Sequence, residues 1–252
     1  MTRKQALYAR PTARAQTGMK LVEDPAERFV YAMCDGTTDL SSPVFLPAHR
    51  SALARLLKRG VVRRCPKGFQ GTQPDIDGVL FSITGRCNMR CRHCYMGAPE
   101  GQGELSLDNM QRILDALCAS GATQISLTGG EPLMRTDLME LIDSILARGM
   151  AIPDIFTNAT LIDDAFVAEL AARGLDPIFH VSFDGVGRHD VMRGVPGAEN
   201  AARQGIAALK SAGHRVVLTT SVDENTLPAL EKTYAFAKET GVHAWGVGRP
   251  MA

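Results

Sequence analysis

The sequence predicts an α/β fold. Six parallel strands alternate with helices, either as an open, partial (β/α)6 barrel or as a doubly wound sheet, behind a small N-terminal α+β unit. Three observations predict it. From residue 79 onward short apolar runs recur, at Val79–Thr84, Ile125–Thr128, Ile152–Thr157, Ile178–Phe183, Val216–Val222 and Val242–Val247. Between them lie amphipathic segments with apolar residues at helical spacing. Gly121, Gly149, Gly174, Gly213 and Gly241 fall where those helices should end. Alternation at this pitch builds right-handed βαβ units and a parallel sheet. Six strands are too few for the closed eight-fold barrel. Either remaining arrangement puts a site at the carboxyl ends of the strands.

Along the chain, residues 1–24 read as a flexible basic tail. Arg3, Lys4, Arg10, Arg14 and Lys20 face no acid among the first 20 residues. Residues 25–77 read as a small unit and a linker. A strand is expected near Phe29–Met33, then a turn at Asp35-Gly36 and a second extended stretch. Pro47 at a first helical position, with Leu53, Leu56 and Leu57 on one face, predicts a helix ending before Gly60. Val61–Arg63 reads as a strand, and the Gly- and Pro-rich stretch 66–78 as linker. Residues 78–252 form the strand–helix unit. Its first helix carries Met110, Ile113, Leu114, Leu117 and Cys118, and its second Leu138, Leu141, Ile142, Ile145 and Leu146. Ser106 and Thr136 are their expected N-caps.

Composition narrows the function. In 252 residues, 28 Lys and Arg balance 27 Asp and Glu, so no global basic field argues for nucleic acid. No apolar run reaches the roughly 18 residues of a membrane span, and no secretory h-region opens the chain. Six cysteines sit at 34, 65, 87, 91, 94 and 118. Three crowd into one loop, which suits a metal site in a reducing, cytoplasmic compartment better than a disulfide framework.

That loop is Cys87-x3-Cys91-x2-Cys94, just after the first strand of the repeat. Three thiolates there can hold three corners of a [4Fe–4S] cluster and leave one iron open. Zinc bound by Cys87, Cys91, Cys94 and His93 is the alternative, strained by the adjacency of His93 and Cys94. Cys118 belongs to a helix's apolar face and Trp245 to the core. His180, His189, His214 and His243 have no visible partners and read as structural.

With these residues the chain resembles the radical S-adenosylmethionine (SAM) superfamily over about residues 79–250. The cysteine loop matches that family's cluster motif, and Gly129-Gly130-Glu131-Pro132 its GGEP element. Ser182-Phe183-Asp184-Gly185 followed by Arg193 is similar to the SxDG…R stretch of the peptide- and protein-modifying (SPASM-type) branch. The resemblance implies the partial barrel, a [4Fe–4S] cluster on Cys87, Cys91 and Cys94, and SAM chelated to the open iron. It implies reductive cleavage of SAM to a 5′-deoxyadenosyl radical that abstracts hydrogen from a substrate. A reduced flavodoxin or ferredoxin would supply the electron. Gly129 and Gly130 would admit the SAM amino group, with Glu131 accepting from it. Ser182 would bond the ribose or methionyl part, and Arg193 the carboxylate. Asp184 would join them or cap the following turn. His93 would lie on adenine or be a loop histidine; Val247 would meet adenine through its backbone or simply pack. Asn158 stands in Thr157-Asn158-Ala159, where relatives often have Thr-Asn-Gly. Peptide modification leads, with residues 25–77 as a winged-helix-like unit for a precursor peptide. A cofactor or tetrapyrrole biosynthetic step, with a small-molecule substrate, comes second, and a non-catalytic iron–sulfur or zinc scaffold third. The extra-cluster domain that follows in SPASM relatives has no counterpart among these residues.

Overall fold

Asp24 and Pro25 start a helix where the apolar run Phe29–Met33 predicts a strand. The computed structural model describes residues 9–11, 24–34, 40–41, 47–65, 78–94, 96 and 103–249. Within the expected tail, Ala9–Pro11 form β1. Next come α1 (Pro25–Ala32), α2 (Pro47–Lys58) and β2 (Val62–Arg64). The Asp24 carboxylate accepts the Ala26 and Glu27 N–H groups at 2.8 and 3.0 Å. With Pro25 at the first helical position, that is a complete helix start. It overrides a strand inferred from five apolar-leaning residues. β1 pairs antiparallel with β2, Ala9 opposite Arg64. The core of this part is Ala9, Val30, Cys34, Leu40, Ala52, Leu53, Leu56, Val61 and Val62. Buried Glu27 accepts from Arg55 and Arg59, each at 2.7 Å. The expected turn at 35–36, most of the extended stretch after it and nearly all of the linker lie outside the described residues.

The strand–helix alternation then runs as predicted. It comprises β3 (Gly78–Ser82), α3 (Leu107–Ala119), β4 (Gln124–Thr128), α4 (Leu138–Ala147), β5 (Asp154–Thr157), α5 (Asp164–Ala172) and β6 (Ile178–Ser182). After these come α6 (His189–Arg193), α7 (Ala198–Ser211), β7 (Val216–Ser221), α8 (Leu230–Glu239) and β8 (Ala244–Gly248). The sheet order is β3-β4-β5-β6-β7-β8. A doubly wound sheet would reverse direction at a switch point. This one does not, and β3 and β8 remain its edges, so the partial barrel is the arrangement present. The chain divides into two units, residues 1–79 with 108–125 and 142–151, and the remainder.

All five predicted helix-ending glycines take left-handed backbone, with φ between 61° and 89°. The bonds of each follow one scheme. Gly121 N donates to Cys118 O and Ala122 N to Leu117 O, and the other four helices repeat it. This is the Schellman closure, which satisfies carbonyls the helix leaves open. At Gly174 a Cβ would meet nothing within 4 Å. Gly174→Ala therefore tests backbone strain alone, and should cost about 1 kcal/mol in urea unfolding. The start of α4 differs from expectation: Asp137, not Thr136, directly precedes it. Asp137 instead takes the Arg135 guanidinium in two bonds, at 2.8 and 2.7 Å.

Side chains alternate across the sheet. Ile125, Leu127, Ile155, Phe179, Val181, Val216 and Leu218 are buried. The opposite face is half-open and carries Ser126, Asp154, Phe156 and His180. Phe156 sits beside His180 in register, and their rings stack at 4.4 Å.

Candidate active site at the carboxyl ends of the strands

Every motif picked out by sequence lies after a strand's carboxyl end or on its last residues. The cysteine loop follows β3, GGEP follows β4, Asn158 follows β5, and Ser182 ends β6. Cys87 and Cys91 are half-buried and Cys94 is exposed. Burial pushes the Cys87 thiol up, and the charges of Glu131, Cys91 and Cys94 add to it; the Met89 N–H, 3.4 Å from Cys87 Sγ, opposes them. Among the described residues no three His, Cys, Asp or Glu side chains group as ligands of one ion. A cuboidal cluster asks something else of the donors, since each thiolate meets a different iron.

The GGEP segment is bound to the cysteine loop. Gly130 N donates to Thr84 O and Glu131 N to Arg86 O, both at 2.8 Å. A Cβ on Gly129 would lie 2.4 Å from Thr84 O, and one on Gly130 2.2 Å from Arg86 O. Both glycines are thus accounted for by the chain running into Cys87, before any ligand is considered.

Glu131 is fully buried. Its carboxylate accepts from Thr157 Oγ1 at 2.8 Å, Asn158 N at 2.7 Å and Leu133 N at 3.3 Å. Burial outweighs these donors and lifts its pKa to about 7. Asn158 reaches back to the cysteine loop, donating to Asn88 Oδ1 at 2.7 Å. Asn88 in turn donates to Thr160 Oγ1 at 2.8 Å. Ala159, in the place of the family's glycine, still takes left-handed backbone with φ 62°. The turn is kept despite a Cβ cost of about 1 kcal/mol.

After β6 the geometry is dominated by one buried ion pair. Arg193 Nη2 lies 2.8 Å from Asp184 Oδ2. Asp184 Oδ1 accepts from Ser221 N at 2.9 Å, so this carboxylate bridges to β7 rather than capping its own turn. Asp184 N donates to His189 Nδ1 at 3.0 Å, which fixes His189 as the Nε2–H tautomer. Burial and the Arg193 charge hold His189 neutral, with its pKa at about 3. Arg193 Nη1 donates to Cys91 Sγ at 3.4 Å. Arg193 Nε, Asp184 Oδ2, His189 Nε2 and His93 Nδ1 are buried without hydrogen-bond partners. The Arg193–Asp184 contact is therefore a charge contact off the N–H axis. Buried polar atoms left without partners, one of them on the guanidinium that touches Cys91, fit a site that takes a polar ligand and a cluster. Ser182 Oγ bonds none of the described residues. Val247 is half-exposed on the edge strand.

Sequence reasoning missed several of these residues. Asn88, Thr157 and Thr160 join the site only through tertiary bonds. His180 and His214 do have partners. His180 Nε2 lies 3.0 Å from Asp154 Oδ1, with Ser126 Oγ donating to Asp154 Oδ2 at 2.9 Å. His214 Nδ1 lies 3.0 Å from Asp176. Trp245 is half-buried rather than core, and its Nε1 donates to Thr220 Oγ1 at 2.8 Å. No helix among the described residues is long and apolar enough to cross a membrane.

Comparison with known proteins agrees with this geometry. The family model described as Radical SAM superfamily matches residues 81–237. An AdoMet-dependent heme synthase of Methanosarcina barkeri is 33% identical over 173 residues, covering 67% of this chain and 49% of that protein. The chain spans about half the length of the curated relatives it matches. Among solved structures, Streptococcus suis SuiB bound to precursor peptide SuiA aligns with TM-score 0.62 at 16% identity, over 85% of this chain and 46% of that one. Native anSMEcpe with bound AdoMet and Cp18Cys peptide aligns with TM-score 0.59 at 18% identity, over 70% and 51%. The strand order, the three-cysteine loop and the family match lead to one conclusion: the chain belongs to the radical SAM superfamily, whose cofactors are a [4Fe–4S] cluster and SAM.

Proposed function

We propose that this chain carries the radical-generating part of a peptide-modifying enzyme. The observation that carries the reading is the reach of the SuiB likeness. It covers 85% of this chain, whereas residues 78–252 are about seven-tenths of it. The likeness therefore extends into the N-terminal unit, and that structure is of SuiB with its precursor peptide. Here the unit is an antiparallel ribbon with two helices. An extended peptide can add to such a ribbon as a further strand.

With cluster and SAM bound, the chemistry supplied is one-electron cleavage of the sulfonium and hydrogen abstraction by the resulting 5′-deoxyadenosyl radical. The chain's own residues bind, orient and shield. Cys87, Cys91 and Cys94 take three irons. Gly129, Gly130 and Glu131, with Asn158, fix the loop beside them and offer a carboxylate to the SAM amine. Ser182, Arg193 and Asp184 line the methionyl side, and His93 and the Val247 backbone the adenine side. Substrate lies against the open sheet face, where Phe156 supplies an apolar platform and His180 a polar group oriented by Asp154. A reduced flavodoxin or ferredoxin supplies the electron.

The 33% identity to a heme synthase favours a second reading, modification of a tetrapyrrole side chain. One experiment separates the two. Anaerobically reconstituted, reduced protein is given SAM, and 5′-deoxyadenosine is quantified against Cys91→Ala. A short peptide encoded beside the gene should raise the yield several-fold, and a carboxylate-bearing iron tetrapyrrole should not. The reverse result would transfer the chain to the second reading. Yield equal to Cys91→Ala would overturn both.

A further inference from the structure

We propose that Arg193, balanced by Asp184, sets the reduction potential of the cluster through Cys91. The inference rests on the three cysteines holding that cluster, and on four observations of this chain.

The position of Arg193 beside Cys91 is imposed by backbone. Arg90 N donates to Arg193 O at 2.8 Å and Arg92 N to Met192 O at 3.0 Å. The cysteine loop is thus stitched to α6 on both sides of Cys91. Gly194 closes the join: a Cβ there would lie 2.4 Å from Arg90 O. The side chain follows, with Nη1 on Cys91 Sγ at 3.4 Å. Finally, the guanidinium is 8% exposed and Asp184 wholly buried, so water screens neither charge.

A buried ion pair off the hydrogen-bond axis contributes little to stability. Its effect on a neighbouring redox centre is direct. An N–H bond to a ligand sulfur and a nearby cation both favour the more negative, reduced cluster, and hydrogen bonds to sulfur are an established lever on cluster potential. Asp184 works the other way, cancelling part of the cation's field. The two residues therefore predict opposite signs.

The test is an EPR-monitored redox titration of the reconstituted holoenzyme without SAM, so that contacts to the SAM carboxylate play no part. Arg193→Gln should make the cluster harder to reduce by about tenfold at fixed poise, which is about 59 mV for one electron. Asp184→Asn should shift it the opposite way. Iron per chain is measured for each variant. Unchanged potentials at full iron loading, or shifts of the same sign, would overturn the proposal. Should Arg193→Gln assemble little cluster, the Asp184→Asn holoenzyme decides by itself. A cluster easier to reduce than wild type supports the proposal, and an unchanged or harder one overturns it. Wild-type protein that assembles no cluster at all would instead sink the family assignment, a distinguishable failure.

Discussion

Gly130→Ala is expected to cost about 3 kcal/mol and to leave most chains without a cluster. The added Cβ would stand 2.2 Å from Arg86 O, 2.7 Å from Arg86 C and 3.0 Å from Gly85 O. All three are backbone atoms, so no side-chain rotation relieves the overlap. Nor can the two segments part freely. Gly130 N and Glu131 N each donate a 2.8 Å bond across the same gap. Making room means breaking at least one of them, at about 1 kcal/mol, and overpacking costs about 1–3 kcal/mol besides. Arg86 is followed at once by Cys87, so the displacement is delivered to the first thiolate of the loop. Iron per chain and urea unfolding check this together. Gly174→Ala is the matched control, since it places the same methyl in open space and should leave iron content at the wild-type level. Equal iron content in both variants would mean that the cradle does not govern the cluster loop.

A sequence displays local structure more plainly than tertiary contact. Helix ends were readable because a Schellman closure is local. One glycine in the right place decides it, and all five did. The strands of the sheet were readable because a buried parallel strand must be a short apolar run. The cysteine loop and GGEP were readable as motifs, yet the reason for the glycines was not. Their Cβ-free surface faces Thr84 and Arg86, which precede them by more than 40 residues. No periodicity reports such a contact.

α1 was readable in principle, from Asp24-Pro25, and the apolar run Phe29–Met33 misled because five residues fit either period. β1 was not readable, since three residues become a strand only by meeting Val62–Arg64. Asp154 and His180 sit at the first and third positions of neighbouring strands. In parallel register that places them near each other on one face, a signal available only once the strands had been aligned.

Acidity should reveal the Glu131 latch. Burial lifts its pKa from 4.5 to about 7. Between those values the folded chain holds a proton that the unfolded chain has released. Stability therefore falls as pH rises through this window. The contribution is fully present below pH 4.5 and lost once pH passes 7, and it amounts to about 3 kcal/mol at 1.36 kcal/mol per unit. Asp137 and Asp223, whose pKa values are lowered, act in the opposite sense at lower pH, so the measurement is a comparison. Cluster-free wild type and Glu131→Gln are unfolded in urea at pH 5 and pH 8. Wild type should lose about 2–3 kcal/mol more than the variant between the two. Parallel losses would mean that Thr157, Asn158 and Leu133 keep the carboxylate ionised throughout. The same proton bears on the proposed contact with SAM. A protonated Glu131 has one fewer acceptor for an amine, so SAM affinity should rise across pH 7 in wild type and stay flat in the variant. The empty protein is then most stable where it binds its ligand most weakly, and the free energy that burial costs Glu131 is recovered when the amine arrives.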